Sequence, residues 1–108
     1  MTTATGGNVE VVLAALADPT RRRLLDRLAA HGESTATALA GELSVTRQAV
    51  VQHLGVLDSA GLVVGHKQGR ERRYQVRSTG LSDTARWMDG LAAQWDSRLA
   101  AIKRIAES

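Results

Sequence analysis

Apolar positions along this chain recur mostly at steps of three and four, broken by turn-forming residues, and only one stretch alternates like paired strands. Val9, Val12, Leu13 and Leu16 share one helical face, and Asn8 is placed to cap a first helix running to about Ala17. Asp18-Pro19 then restarts the chain, because Asp is a good N-cap and Pro costs nothing in a first turn. The second helix carries Leu24, Leu25 and Leu28 and stops at His31-Gly32, with Gly32 suited to a left-handed stop. Ser34 or Thr35 starts a third helix that turns Ala38, Leu39 and Leu43 inward. Ser44-Val45 leaves room only for a tight turn before Thr46 caps a fourth helix. There Val50, Leu54 and Leu57 fall at i, i+4 and i+7, which sends Arg47, Gln48, Val51, Gln52 and Gly55 to the opposite face.

Gly61 ends that helix. Leu62 to His66 and Arg72 to Arg77 then read as two strands of a hairpin around Gln68-Gly69-Arg70. Ser82 is the expected cap of a last long helix, with Asp83 favourable at its positive end. Trp87, Met88, Leu91, Trp95, Leu99, Ile102 and Ala106 make its apolar stripe, at steps suited to helix-on-helix packing. The expected fold is mainly α with a small β-hairpin: four helices, a hairpin and a fifth helix, the order of a winged helix-turn-helix. Residues 1–7 are expected as a flexible arm, and 8–108 as one DNA-binding and dimerisation domain, with no internal repeat.

A length of 108 residues suits one domain, and with no Phe, one Tyr and two Trp its core must be aliphatic. A domain this small is only marginally stable alone, so pairing with a second copy would bury useful apolar surface. The net charge of +3 is modest, and its placement says more than its size. Arginines cluster at Arg21-Arg22-Arg23 and at Arg70, Arg72 and Arg73. The first cluster suits a solvated helix face as well as a polyanion site. The second, on a hairpin beside a helix-turn-helix, points to nucleic acid. The absence of cysteine excludes disulfides and thiolate metal sites. No apolar run reaches membrane-spanning length, and Met1-Thr2-Thr3-Ala4-Thr5-Gly6-Gly7 lacks the features of a signal peptide, so the cytoplasm is expected, with no membrane partner.

The outer face of the fourth helix carries the recognition chemistry. Arg47 can donate two hydrogen bonds to guanine, and Gln48 or Gln52 can pair with adenine. Thr46 can both cap the helix and touch a phosphate. Val51 is either an ordinary exposed apolar residue or the partner of a thymine methyl. His53 lies beside Leu54 and reads as a core-edge residue rather than a metal ligand, and His31 and His66 have no ligand at metal spacing, so neither metal nor cofactor is expected. Lys67, Arg70, Arg72 and Arg73 supply phosphate contacts, which fix register rather than sequence and make binding salt dependent. Glu71 either steadies a neighbouring arginine or is a plain turn residue. No nucleophile with an adjacent base and no phosphate-binding glycine loop is present, which argues against an enzyme. A winged-helix protein-interaction module without DNA binding is the alternative.

Three segments together resemble the arsenic-repressor (ArsR) family: Ala17-Asp18-Pro19-Thr20-Arg21-Arg22-Arg23-Leu24-Leu25, Val45-Thr46-Arg47-Gln48-Ala49-Val50-Val51-Gln52-His53-Leu54-Gly55-Val56-Leu57, and Ala60-Gly61-Leu62-Val63. The resemblance spans about residues 9 to 106. It implies a homodimeric repressor of an inverted-repeat site on double-stranded DNA, with Thr46, Arg47, Gln48, Val51, Gln52 and His53 as reading positions. It also implies an interface through the first and last helices, here Val9, Val12, Leu13, Leu16, Met88, Leu91, Trp95, Leu99 and Ile102. The third helix, Thr37-Ala38-Leu39-Ala40-Gly41-Glu42-Leu43, lacks the cysteines of metal-sensing members, and the last helix has Asp83, Asp89 and Asp96 but no histidine. Metal sensing is therefore not implied, and Trp87 with Trp95-Asp96-Ser97-Arg98-Leu99 resembles the last helix of the metal-free branch. An unidentified small-molecule effector near Trp87 or Trp95 is a further candidate partner, weighed against simple packing of both rings at the interface.

Overall fold

The computed structural model describes residues 3–107, with side chains from residue 9 onward. The elements are α1 (Thr3–Leu16), α2 (Pro19–His31), β1 (Ser34–Thr35), α3 (Ala36–Leu43), α4 (Arg47–Ser59), β2 (Val63–Gln68), β3 (Glu71–Val76) and α5 (Thr79–Glu107). Local chemistry sets most of the boundaries. Asp18 accepts from Thr20 N and Arg21 N to cap α2, and Gly32 closes that helix at φ 82°. Thr35 caps α3 and Thr46 caps α4, each accepting one backbone N–H. Ser44 turns the chain between them in the left-handed region, at φ 56°. After α4, Leu62 N bonds to Leu57 O and Gly61 N to Asp58 O, with Gly61 at φ 75°. This is a Schellman stop, and its hydrophobic pair, Leu57 and Leu62, is fully buried.

Leu24, Leu25 and Leu28 of α2, Leu39 and Leu43 of α3, and Val50, Leu54 and Leu57 of α4 converge in one aliphatic core with Val12, Ala15, Leu62 and Val63. Burying a large aliphatic side chain is worth roughly 1.5–3 kcal/mol, so this cluster fixes how α4 sits on the body. In α3 the inward small residues are Ala36 and Ala40, while Ala38 is exposed.

Four expectations are corrected. α1 begins at Thr3, so Asn8 lies within it, and residues 3–7 form its first turns rather than an arm; Met1 and Thr2 lie outside the described residues. Two glycines at about 1 kcal/mol each argue for a later start, but α1 lies along α5, and tertiary packing overrides such propensities. α5 likewise begins at Thr79, with Ser82 N bonded to Ser78 O, and its first turn packs at Gly80 against Leu62 and the Ala60 and Gly61 carbonyls. The hairpin strands are shifted by about one residue. They close on a two-residue turn, Gly69-Arg70, and only Gly69 takes positive φ. Finally, the sheet has three strands in the order β1-β3-β2, because Ser34 and Thr35 pair with Tyr74 and Arg73. A two-residue strand has no periodicity to detect and forms only where β3 arrives.

Candidate nucleic-acid interface

α4 is held by its core face and presents the rest. At 100° per residue, Gln48, Gln52, Gly55 and Ser59 lie opposite Val50, Leu54 and Leu57. Arg47 and Val51 flank them on the side of α3 and the wing, and Thr46, Arg47, Gln48, Val51 and Gln52 are all exposed. Thr46 Oγ1 accepts from Ala49 N at 3.0 Å, which fixes the start of the helix.

The wing is ordered by its own side chains. Gly65 pairs with Tyr74 across the hairpin, and the tyrosine ring covers the glycine. Arg72 lies over that ring at 5.8 Å and donates to Gly65 O at 3.4 Å, a cation–π contact that aims its charge. Lys67 and Arg70 are exposed. Between wing and helix runs an open groove of about 600 Å³. Arg47 and Val51 of α4, Arg70, Arg72 and Tyr74 of the wing, and Thr35 to Ala38 at the start of α3 line it. The groove thus brings Arg47 and Val51 of the helix together with Arg70 and Arg72 of the wing, with Glu71 beside them, while Thr46, Gln48, Gln52 and Lys67 are exposed outside it.

Two expected contacts are placed elsewhere. Arg73 is half-buried, its Nε donating to Glu33 Oε1 at 2.8 Å and its Nη1 to Glu71 Oε2 at 3.3 Å. Glu71 therefore does steady an arginine, and in this structure Arg73 braces the sheet, paired with Glu33 and Glu71. His53 is half-buried on the side of α4 toward α2, with Nδ1 3.3 Å from Arg21 Nη1. In the first arginine cluster, Arg21 and Arg22 bond the last carbonyls of α1, at Ala14, Ala15 and Leu16, where a cation favours the helix end. Sequence reasoning missed Tyr74 and the start of α3. The tyrosine's register opposite a glycine, in a chain with no other tyrosine, was the available signal.

Of the expected interface residues, Val9 and Val12 are buried within the protomer and present no face to a partner, since α1 turns them inward. Leu16 is packed against the core, and Leu13 is exposed. Met88, Leu91, Trp95, Leu99 and Ile102 of α5 are all between 38% and 61% exposed, and Trp87 stands beside them.

A helix-turn-helix fold with an ordered basic wing and an open polar reading face defines a winged-helix transcriptional regulator. A helix-turn-helix domain family model matches residues 16–66. The HTH-type transcriptional regulator Rv2034 of Mycobacterium tuberculosis is 40% identical over 94 residues, covering 87% of this chain and 84% of that protein. The transcriptional repressor SdpR of Bacillus subtilis is 32% identical over 88 residues, covering 82% and 97%. The structure of an ArsR-like transcriptional regulator from Rhodococcus sp. RHA1 matches with a TM-score of 0.87 and 45% identity, over 100% of this chain and 98% of that one. A homodimeric winged helix-turn-helix DNA-binding domain from Mycobacterium bovis matches with a TM-score of 0.66 and 29% identity, over 90% and 86%. The chain belongs to the ArsR family of helix-turn-helix transcriptional regulators.

Proposed function

We propose that the protein is a homodimeric repressor in the cytoplasm that binds an inverted-repeat operator on double-stranded DNA and excludes polymerase from the promoter. The carrying observation is the groove that joins Arg47 and Val51 of α4 to Arg70 and Arg72 of the wing. A helix face in the major groove and a cationic hairpin on the adjoining backbone are both served by that surface. Dimerisation is supported by the exposed apolar stripe of α5 and by the homodimeric relative. Two copies related by a two-fold axis then read two half-sites about one helical turn apart, roughly 34–36 Å. Thr46, Arg47, Gln48, Val51 and Gln52 face the bases and adjoining phosphates, while Lys67, Arg70 and Arg72 hold the backbone. Trp87 and Trp95 pack between the subunits.

Selection of bound sequences from random duplex DNA tests this reading, with a palindromic consensus as the expected result. Gln52→Ala should then cost about 1–3 kcal/mol at one consensus position, and Arg72→Ala should weaken all duplexes alike and lower the salt slope by about 1. A consensus without two-fold symmetry, or equal losses on specific and random DNA for Gln52→Ala, would overturn it.

A further inference from the structure

Arg21 stands away from the groove, yet its guanidinium joins three elements. Its Nε donates to Ala15 O at 2.6 Å and its Nη2 to Ala14 O at 3.3 Å, both in the last turn of α1. Its Nη1 lies 3.3 Å from His53 Nδ1 on α4 and 3.9 Å from Asp18 Oδ2 at the start of α2. The side chain keeps only 17% of its exposure. We infer that Arg21 and His53 form a strut that sets the recognition helix against the end of α1, making DNA discrimination dependent on the neutral form of His53. The inference rests on the reading of α4 as the DNA-facing helix. It assigns His53 as a positioning residue rather than a base reader.

A guanidinium has no acceptor, so the contact requires an unprotonated Nδ1 and places the ring proton on Nε2. A second proton on the ring would set donor against donor and charge against charge at 3.3 Å. The charged groups facing His53 are Arg21 from α2 and the Asp18 carboxylate at its cap. From α1 come the Ala14 and Ala15 carbonyls that hold the guanidinium, and α3 and β2 meet α4 through Leu39, Leu43 and Val63 of the core. Asp18 attracts a protonated ring, but its Oδ1 accepts from Thr20 N at 2.8 Å and Arg21 N at 3.2 Å, and the Arg21 Nη1 that lies 3.9 Å from its Oδ2 is the group 3.3 Å from the ring. Protonation therefore opens the link between α4 and α1. Since α1 also lies along α5, the same strut ties the reading helix to the apolar helix that projects from the body.

The test uses the full chain and compares affinity for its selected duplex with affinity for random duplex, at about pH 8 and about pH 5.5. His53→Asn keeps an acceptor near the Nδ1 position without a titrating ring; His53→Leu removes it. Acidification should reduce wild-type discrimination about tenfold, the scale of one charge-assisted hydrogen bond, and leave His53→Asn unchanged. His53→Leu and Arg21→Gln should each lose about tenfold already at the higher pH, with the double variant no worse than either, as expected for two ends of one contact. Identical pH profiles for wild type and His53→Asn, additive losses in the double variant, or a changed base preference in His53→Asn would each overturn the strut. Should Arg21→Gln fail to fold, the wild-type and His53→Asn profiles decide the matter. A wild-type protein that prefers no duplex overturns the DNA reading, and the strut with it. A discriminating wild type with unaffected variants overturns the strut alone.

Discussion

A Cβ built on Gly65 would come within 2.9 Å of both the Tyr74 ring and Arg72 Nε. Gly65→Val should therefore push Tyr74 off the hairpin and release Arg72 from its stack, weakening binding to every duplex while helical content stays unchanged. Circular dichroism and a salt titration of binding check both halves. At Asp18, partial burial opposes ionisation, but the backbone N–H groups of Arg21 and Thr20, with the charges of His53 and Arg21, outweigh it and hold the carboxyl below its usual range. A depressed folded value means that its contribution is complete above the unfolded value and is lost as pH falls through the folded one. Thermal melting should therefore show stability falling on the acid side of the ordinary carboxylate range. Asp18→Asn, which still caps, should flatten that part of the profile. The cap was legible from Asp18-Pro19 alone. The destinations of the Arg21, Arg22 and Arg73 side chains were not, because a run of arginines looks the same whether it meets phosphate, a helix end or a glutamate 40 residues away.

At the scale of elements, α2, α3 and α4 were readable because each carries its own stop and start signals. Thr46→Ala removes one such signal and should cost about 1 kcal/mol of stability, measured by denaturant unfolding, in addition to any loss of DNA affinity. α1 and α5 were misplaced at their starts for a common reason. Glycines near the true starts, and Ser82 inside α5, suggested later ones, while the contact between the two helices and the packing of the first turn of α5 on the α4 stop favour the longer forms. β1 shows the limit more sharply. Ser34 and Thr35 are equally good helix caps, and only the arrival of β3 makes them a strand. That pairing also brings the start of α3 to the rim of the groove, which explains why those residues were absent from the expected site.

For the whole molecule, the radius of gyration is 18.2 Å, against about 13 Å for a compact chain of this length. The long axis of 68 Å reflects α5, whose first turns dock through Leu81 and Thr84 and whose later apolar residues remain exposed. Leu99→Glu with Ile102→Glu should convert a dimer to a monomer by analytical ultracentrifugation. It should also abolish cooperative occupancy of two half-sites while leaving the core's melting transition near that of the wild type. Periodicity by itself determined the helical order, the hairpin, the aliphatic core of the three central helices and the polar face of α4, since those follow from which side chains share a local face. Only the tertiary structure decided which of these groups meet. Whether an arginine braces or binds, whether a valine on α1 is inside or outside, and whether two residues after a glycine become a strand all depend on partners distant in sequence. Burial and charge pairing are properties of the neighbour as much as of the residue.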